Sequence, residues 1–435
     1  MKTLHSTNKT TEQAILIGVN LNNNPQFEYS MLELANLAQA CNIDVVEQTT
    51  QNLHDTNHKY YIGTGKLDEI QALLENTKAN LVIFNTELSP AQIRNIETIL
   101  PCKIIDRTML ILQIFEQRAK TKEAKLQVEI ARLQYFLPRL VGLRTSLDRQ
   151  GGGGTSGTFN RGAGEKQLDL DRRQIENQIN ILKKELQTVV AQRKTQRQWR
   201  SKQGIKTVAL VGYTNAGKST LMNTIINTFP HDADELKTVF TKDMLFATLQ
   251  TASRRIDMPK KKSFILTDTV GFVSDLPHHL IEAFKSTLEE ICEADLLLHV
   301  IDYSDPHHQA MQTLTSQIIA ELGAANIPVL HVFNKIDRIP HTNVPENVQT
   351  NLYISAKTKA GLSELIATIT SHIFADYKTY KLTVPYQRGD ITAFYHQNIE
   401  VLNETFTNEG TVLTISCPER LAYTYKDDVL LIEEM

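Results

Sequence analysis

The N-terminal part of the chain alternates short apolar runs with amphipathic stretches. The apolar runs are AILIGV, VVEQT, NLVIF and KII, and the stretches between them are SMLELANLAQAC, KLDEIQALLENT and PAQIRNIETIL. Apolar runs that alternate with helical patterns are typical of βαβ units, in which the strands lie parallel. The pattern therefore predicts an α/β domain over residues 1–112.

The next segment carries two stripes of apolar residues at spacings of four and three. The first stripe is Leu126, Ile130, Leu133, Leu137 and Leu140, and the second is Ile175, Ile179, Leu182, Leu186 and Val189. Both predict helices that pack along a heptad seam. Between them RQGGGGTSGTFNRGAGEK is too rich in glycine to continue either helix, so we expect a flexible tip over 150–165. The segment 113–203 is thus predicted to be a helical hairpin, with Pro138 kinking or ending its first arm.

Alternation of strands and helices returns in the second half of the chain. VALVG, FILTDT, LLLHVID, PVLHVFN and LYISA have the continuous apolar character of strands buried in a parallel sheet. They predict an α/β domain with a mostly parallel, doubly wound sheet over 204–376. KLTVPY, DITAFYHQN, IEVLNETF and TVLTISC then predict a small α+β domain of βαββ order over 377–435.

Composition limits the class of protein. A chain of 435 residues with 41% hydrophobic and 22% charged residues is ordinary for a globular protein of several domains. Its four cysteines lie far apart without metal-ligand spacing, which argues against zinc and against a disulfide framework. No apolar run approaches the ~18 residues of a membrane helix, and the N-terminus lacks the apolar stretch of a secretory signal. We therefore expect a cytoplasmic protein.

The charge is distributed unevenly. The net charge is −3, yet residues 113–203 contain 19 of the 46 Lys and Arg against 9 Asp and Glu, which makes this segment +10 and the remainder −13. Clustered basic residues gain affinity for a polyanion by releasing counterions from its phosphates. The alternative is a helical face that is merely solvated.

The sequence GYTNAGKS, residues 212–219, stands between a predicted strand and a predicted helix. In this context the GxxxxGKS pattern is a phosphate-binding loop, because its glycines let the backbone amides point inward and the helix adds its positive N-terminal end. Lys218 would provide a charge to the β and γ phosphates. Ser219 would offer its hydroxyl to Mg2+.

NKID at 334–337 follows the apolar strand PVLHVF and identifies the base. Asp337 can accept two hydrogen bonds from guanine, whereas adenine would leave this carboxylate unpaired. We expect Asn334 to contact the other edge of the base and SAK, residues 355–357, to brace it. The order of these motifs predicts a guanine nucleotide site.

DTVG at 268–271 follows the strand FILT and predicts the γ-phosphate switch. Asp268 would reach the magnesium ion through a water, and Gly271 would present its amide to the γ phosphate. A threonine in the preceding loop should contact both the magnesium ion and the γ phosphate. The candidates are Thr248, which we favour, and Thr241. A half-buried strand position is the other interpretation of Thr248.

The residue after this motif is Phe272, where many small GTPases have a glutamine that orients the attacking water. An apolar side chain cannot align water, so we expect slow intrinsic hydrolysis that a partner or an ion completes. Asn215 could help to hold K+ at the phosphates, although a role in capping the loop fits it better. A second cluster, YYIGTGKLDEI at 60–70, could contact a nucleotide, but a turn that starts a helix fits it better.

The order of these motifs resembles the HflX family of translational GTPases over most of the chain. YYIGTGKLDEI and LSPAQIRNIE resemble its N-terminal domain, IIDRTMLILQIFEQRAKTKEAKLQVEIARLQY and RGAGEKQLDLDRR its helical region, and GYTNAGKST, LFATLQ, DTVGFVSDLPHHLIEAF, NKID and SAK its GTPase domain. The tip is longer and richer in glycine than the family pattern GGxGxRGPGE, and Ala163 stands where that pattern has proline.

The resemblance implies a P-loop GTPase that binds the large ribosomal subunit and its rRNA, hydrolyses GTP on ribosome stimulation, and splits or rescues ribosomes under stress. It implies Mg2+ held by Ser219 and Thr248, and a catalytic set of Lys218, Thr248, Asp268 and Gly271. The expected nucleotide contacts are Gly212, Tyr213, Thr214, Asn215, Ala216, Gly217, Lys218, Ser219, Thr220, Phe246, Ala247, Thr248, Leu249, Gln250, Asp268, Thr269, Val270, Gly271, Asn334, Lys335, Ile336, Asp337, Ser355, Ala356 and Lys357.

The basic residues that flank the tip are the candidates for contact with RNA phosphates. They are Arg139, Arg144, Arg149, Arg161, Arg172 and Arg173. We expect a monomer without a transmembrane segment. One alternative is an assembly or placeholder factor in which GTP only sets affinity for the ribosome and hydrolysis is incidental. Another, a GTPase switch for a metabolic or membrane partner, is disfavoured by the basic hairpin.

Overall fold

The N-terminal domain is built around a parallel sheet. The computed structural model describes residues 12–140, 161–202, 205–229, 252–259, 261–274, 277, 280, 285–340, 344–348 and 350–434. The first four strands are β1 (Gln13–Leu21), β2 (Asp44–Leu53), β3 (Leu81–Phe84) and β4 (Lys103–Asp106). They pair in parallel in the order β2-β1-β3-β4, which confirms the fold predicted from the alternating pattern.

Three helices connect these strands: α1 (Phe27–Ala40), α2 (Thr64–Thr77) and α3 (Pro90–Glu97). The start of α3 shows how local sequence sets a boundary. The Ser89 hydroxyl oxygen accepts a hydrogen bond from the Gln92 backbone amide, and Gln92 Oε1 accepts one from the Ser89 backbone amide, with Pro90 at the first helical position. This capping box satisfies amides that a helix start otherwise leaves unpaired. The cluster YYIGTGKLDEI likewise leads into a helix, α2.

The next three helices are α4 (Arg107–Arg118), α5 (Lys122–Phe136) and α6 (Arg161–Lys202). Residue 113 therefore lies inside α4. A short 3-10 turn, Leu137–Arg139, follows α5 and contains Pro138, and Leu140 after it is helical again, so the regular helix is interrupted at the proline as predicted. Lys122 of α5 pairs with Glu185 of α6 at 2.6 Å.

The predicted extent of the glycine-rich tip is wrong at its C-terminal end. We expected a flexible tip over 150–165, but α6 begins at Arg161 and includes Gly162 and Gly164. A glycine costs a helix only about 1 kcal/mol relative to alanine, so a 42-residue helix can include two near its end. Residues 150–160 lie outside the described residues.

Arg139, one of the predicted RNA contacts, makes a set of contacts inside the N-terminal part of the protein. Its side chain is 10% exposed, and its guanidinium lies 3.4 Å from the buried carboxylate of Asp106. It also donates to the carbonyls of Tyr135 and Leu88, at 2.8 Å each, and stacks on the Tyr135 ring. Spacing along the sequence could not reveal that this arginine caps the end of β4 rather than facing solvent.

The domain that follows α6 has a six-stranded sheet. Its strands are β5 (Lys206–Val211), β6 (Ala252–Asp257), β7 (Ser263–Asp268), β8 (Leu296–Asp302), β9 (Val329–Asn334) and β10 (Asn351–Tyr353). The order is β10-β9-β8-β5-β7-β6, parallel except for β6. The parallel strands are those expected. The edge strand β6 was not predicted, because ASRRID has no apolar run.

Helices cover both faces of this sheet. They are α7 (Lys218–Thr228), α8 (Lys285–Cys292), α9 (His308–Glu321) and α10 (Leu362–Ile373). One face forms a continuous apolar core in which strand residues such as Leu210 and Val300 pack with Leu221 of α7 and Leu365 of α10. Because the parallel strands point the same way, the loops after their carboxyl ends converge at one edge.

The C-terminal domain contains the predicted βαββ unit and one additional strand. Its elements are β11 (Tyr377–Val384), α11 (Gly389–Asn398), β12 (Glu400–Phe406), β13 (Thr411–Pro418), α12 (Glu419–Ala422) and β14 (Leu431–Glu434). The sheet is antiparallel with the order β12-β13-β11-β14.

The chain groups into two compact units. The first consists of 1–190, 243–249 and 273–284, and the second of 191–242, 250–272 and 285–435. Among the described residues, no helix combines the length and apolar character needed to cross a membrane.

We predict that Arg139→Ala lowers the free energy of unfolding of the first unit by about 3 kcal/mol, because it leaves the buried Asp106 carboxylate without its cation. Urea unfolding of the full chain, followed by circular dichroism, measures this. Arg173→Ala, which removes an exposed arginine of α6, is the control and should change stability by less than about 0.5 kcal/mol. Equal stability of the two variants would contradict the anchoring role.

Candidate functional site

The phosphate loop joins β5 to α7 and packs too tightly for any residue but glycine at two points. Gly212 has a φ of +142°, and a Cβ there would lie 2.2 Å from the carbonyl oxygen of Val300. Gly217 has a φ of +95°, and a Cβ there would lie 2.3 Å from the Asn334 amide nitrogen. Left-handed backbone and close approach both require glycine. The loop is therefore held against the ends of β8 and β9.

Lys218 lies inside this loop. Its Nζ donates to the carbonyls of Gly212 at 2.9 Å and Tyr213 at 2.8 Å, and the side chain is buried. Burial lowers the pKa of Lys218 to about 8, and the negative charge of Asp268 opposes this shift. Two neutral carbonyls do not neutralise a buried ammonium. The loop thus contains a cation that gains stabilisation when an anion binds.

The first residues of α7 face the end of β7. The Ser219 hydroxyl donates to Asp268 Oδ2 at 2.6 Å, so the structure brings together the two oxygen donors expected at a magnesium ion. Thr269 donates from its hydroxyl to the carbonyl of Leu210 at 2.6 Å and fixes the chain after Asp268 to β5. Thr220, by contrast, is exposed at the edge of the loop.

The chain after Asp268 pairs with the phosphate loop through its backbone. The Phe272 amide donates to Gly212 at 3.2 Å, and the Phe272 carbonyl accepts from the Thr214 amide at 2.7 Å. Gly271 lies so close that a Cβ on it would be 2.8 Å from Lys218 Nζ and 2.9 Å from Thr214 Cα. The Phe272 side chain is 2% exposed. The residue after the DTVG motif is therefore part of the packed wall of the site.

The base-reading motifs are joined to the phosphate loop by hydrogen bonds. Asn334 donates to the carbonyl of Ala216 at 2.9 Å and accepts from the amide of Ala356 at 2.9 Å. Ser355 donates to Asp337 Oδ1 at 2.6 Å, which orients this carboxylate, and Asp337 itself is exposed at the surface. NKID, SAK and the phosphate loop thus form one connected site.

Sequence reasoning missed Asp302, the last residue of β8. Its carboxylate pairs with Lys335 Nζ at 2.8 Å, and both side chains are largely buried. Lys335 has a left-handed backbone with φ of +68°. The sequence feature that could have revealed Asp302 is its place as an acidic residue at the carboxyl end of the apolar strand LLLHVID. Ligands bind at this edge of a parallel sheet.

Not every predicted residue can be placed. The loop that should contact Mg2+ and the γ phosphate lies outside the described residues, and with it Phe246, Ala247, Thr248, Leu249, Gln250 and the alternative candidate Thr241. Arg144 and Arg149 also lie outside them. The backbone of Arg161 is described at the start of α6. On the same helix Arg172 is exposed and pairs with Glu176 at 3.0 Å, and Arg173 is exposed.

The lowered pKa of Lys218 predicts that binding of a guanine nucleotide takes up protons. The phosphates favour the charged ammonium, so the fraction of Lys218 that is neutral in the free protein must be protonated on binding. Because burial lowers the pKa of Lys218 in the free protein to about 8, the uptake should increase as the pH rises through the range around this value. Affinity should fall as the pH rises through this range.

Titration calorimetry of GDP binding in two buffers of different ionisation enthalpy measures this uptake. Lys218→Arg is the control, because an arginine stays charged throughout this range. Uptake that is absent at pH 8.5, or that is equal in the parent and in the arginine variant, would contradict the assignment.

Three family models match consecutive parts of the chain. The model described as GTP-binding GTPase N-terminal matches residues 28–116, and GTP-binding GTPase Middle Region matches 118–200. The model described as 50S ribosome-binding GTPase matches 207–335, which contains the phosphate loop, DTVG and the start of NKID.

Curated relatives extend this similarity over nearly the whole chain. GTPase HflX of Caldanaerobacter subterraneus subsp. tengcongensis is 43% identical over 399 residues, which cover 92% of this chain and 89% of the relative. GTPase HflX of Escherichia coli is 39% identical over 406 residues, which cover 92% of each chain. Among solved structures, a GTP-binding protein from Sulfolobus solfataricus in complex with GDP is 24% identical, with a TM-score of 0.43 over 83% of this chain and 99% of that one. The motifs joined at the carboxyl edge of the sheet and the identity to these relatives over 92% of the chain lead to one conclusion: this protein is a GTPase and belongs to the HflX family.

Proposed function

We propose that this GTPase binds the large ribosomal subunit and that contact with the subunit completes its catalytic site. The observation that carries the proposal is Phe272, which is buried and paired with the phosphate loop where other GTPases have a glutamine that orients water. A side chain without hydrogen-bonding groups leaves that task to a partner. The match of residues 207–335 to a 50S ribosome-binding GTPase family supports the ribosome as this partner.

Magnesium fits the oxygen donors of the site. Ser219 and Asp268 stand 2.6 Å apart at the start of α7, and hydroxyl and carboxylate oxygens are the ligands that Mg2+ prefers. We propose Ser219 as a direct ligand, Asp268 as a ligand through water, and Thr248 as the second direct ligand in the triphosphate state. When bound, Mg2+ neutralises charge that develops on the β and γ phosphates. Asn215 is exposed with φ of +61° and is our candidate for a K+ contact.

The catalytic roles follow from the same contacts. We propose that Lys218 stabilises the charge on the phosphates from inside the loop and that the Gly271 amide binds the γ phosphate. Asp337 and Asn334 bind the guanine edge, with Asp302 holding Lys335 beside it. The remaining loop residues contribute backbone amides and packing.

The basic helical region is the proposed contact with ribosomal RNA. On the described part of α6, Arg172 and Arg173 are exposed, and the exposed pair of Arg172 with Glu176 can exchange for a phosphate at little cost. Arg139, Arg144, Arg149 and Arg161 complete the set of predicted contacts, and the internal hydrogen bonds of Arg139 make it the weakest member. We further propose a cytoplasmic monomer that splits or rescues ribosomes, in which residues 113–203 act as the effector arm.

The charge reversal Arg172→Glu with Arg173→Glu tests this contact. We expect binding to the large subunit to weaken at least tenfold, and the slope of log affinity against log salt to decrease by about two, because two phosphate contacts are lost. Co-sedimentation with purified large subunits over a range of salt concentrations measures both quantities.

The control is Lys381→Glu with Lys426→Glu, which makes the same change of charge at two exposed positions of the C-terminal domain. This variant should bind almost as well as the parent. Equal losses in the two variants would mean that net charge alone governs binding, and α6 would then have no specific role. Subunit splitting with GTP compared with a non-hydrolysable analogue separates a splitting enzyme from a placeholder factor in which hydrolysis is incidental.

A further inference from the structure

The strand β12 forms an open edge of the C-terminal sheet. The order β12-β13-β11-β14 places it outermost, and within the part of the chain that the structure describes β13 is the strand that pairs with it. All residues from Leu402 to Phe406 are exposed. An edge strand presents a row of unpaired backbone amides and carbonyls to other chains. The strand β12 can therefore accept a further strand through its backbone.

The second half of β12 lacks the usual protection of a sheet edge. Proteins commonly protect such an edge with lysine, with proline or with a β-bulge. The strand contains neither lysine nor proline. A bulge lies between Val401 and Asn403, but from Asn403 to Phe406 the pairing with β13 is regular. These four residues thus form a regular edge to which another strand can bind.

The exposed edge carries apolar side chains. Glu404 lies opposite Leu413 of β13, which belongs to the core of this domain. Because opposite residues share a face and side chains alternate, Glu404 and Phe406 lie on the core-facing side of the sheet. Yet Phe406 is 71% exposed. Tyr386 is 57% exposed and lies beside the end of the strand, since its hydroxyl donates to the Thr407 carbonyl at 2.7 Å. An apolar side chain on an added strand would cover this exposed aromatic surface.

The charge around the edge indicates which kind of partner it binds. Residues 389–419 contain five Asp and Glu and neither Lys nor Arg. Beside β12 lies a cavity of about 510 Å3, and its charged lining consists of Glu400, Glu404 and Lys261, with His396 next to Glu404 at 3.4 Å. An acidic edge repels nucleic acid and a second copy of itself, and it attracts a basic segment.

We propose that β12 binds a basic, extended segment of another protein, which adds to the sheet as a further strand. Backbone hydrogen bonds provide affinity, and alternate side chains of the segment provide specificity. A Lys or Arg pairs with Glu404, and an apolar residue two positions along packs on Phe406. This surface shares no residue with the nucleotide site or with α6. The inference is therefore independent of the proposed function.

A blocked synthetic peptide, Thr-Lys-Thr-Val-Thr-Lys-Thr-Val, tests the surface because it presents lysine and valine alternately on one face. NMR titration of the deuterated full chain gives the dissociation constant and locates the perturbed amides. We expect perturbed amides from Asn403 to Phe406. The fully N-methylated peptide keeps the side chains and charge but cannot donate to a strand, so its binding should be lost.

Variants of the edge complete the test. Leu402→Lys with Phe406→Lys removes apolar cover and adds like charge, so the dissociation constant should rise by about tenfold or more. Glu404→Gln, a milder change, should raise it about threefold. The control is Leu170→Lys with Ile181→Lys, which makes the same kind of change at exposed positions of α6 and should leave the constant unchanged.

Three results would overturn the proposal. The first is the absence of binding to the parent chain, and the second is equal binding of the N-methylated peptide, which would mean attraction by charge alone. The third is a dimer of the parent chain in sedimentation that Leu402→Lys with Phe406→Lys abolishes, because the edge would then pair with a second copy.

Discussion

The peptide of Phe272 pairs with the backbone of the phosphate loop, and the chemistry of the site depends on this pairing. The two hydrogen bonds, to Gly212 and from Thr214, bring Gly271 against Lys218. They also bury the phenylalanine side chain, which has no group that could orient water. The same contact therefore closes the space beside the lysine and leaves hydrolysis without a water-positioning amide. Both properties support the proposal that an interaction with a partner completes the site.

The remainder of the site is organised around buried charge. Lys218 lies among backbone carbonyls, and burial lowers its pKa. Such a cation is stabilised far more by phosphates than by the loop itself. The Ser219 and Asp268 oxygens stand at the start of the same helix, and Asn334 connects the phosphate loop to the base-reading loop. Phosphate and base recognition are thus coupled through one hydrogen-bonded framework.

Much of the fold could be predicted from the sequence because parallel strands buried on both faces give continuous apolar runs. The phosphate, base and switch motifs were recognisable because their chemistry is local and their order fixed. The edge strand β6 was missed because a partly exposed strand has no apolar run. The start of α6 at Arg161 was missed because two glycines near the end of so long a helix lower its stability only slightly. The contacts of Arg139 and Asp302 could not be foreseen, because Asp106 and Lys335, their partners, lie far away in sequence.

The central claim is that this GTPase is incomplete alone and that the large ribosomal subunit completes it. Multiple-turnover rates of GTP and ATP hydrolysis, measured alone, with large subunits and with small subunits, test it most directly. The account predicts slow GTP hydrolysis by the protein alone, a rise of at least about a hundredfold with large subunits, and little change with small subunits or with ATP. Rapid turnover without ribosomes, or the same rate with and without large subunits, would contradict it.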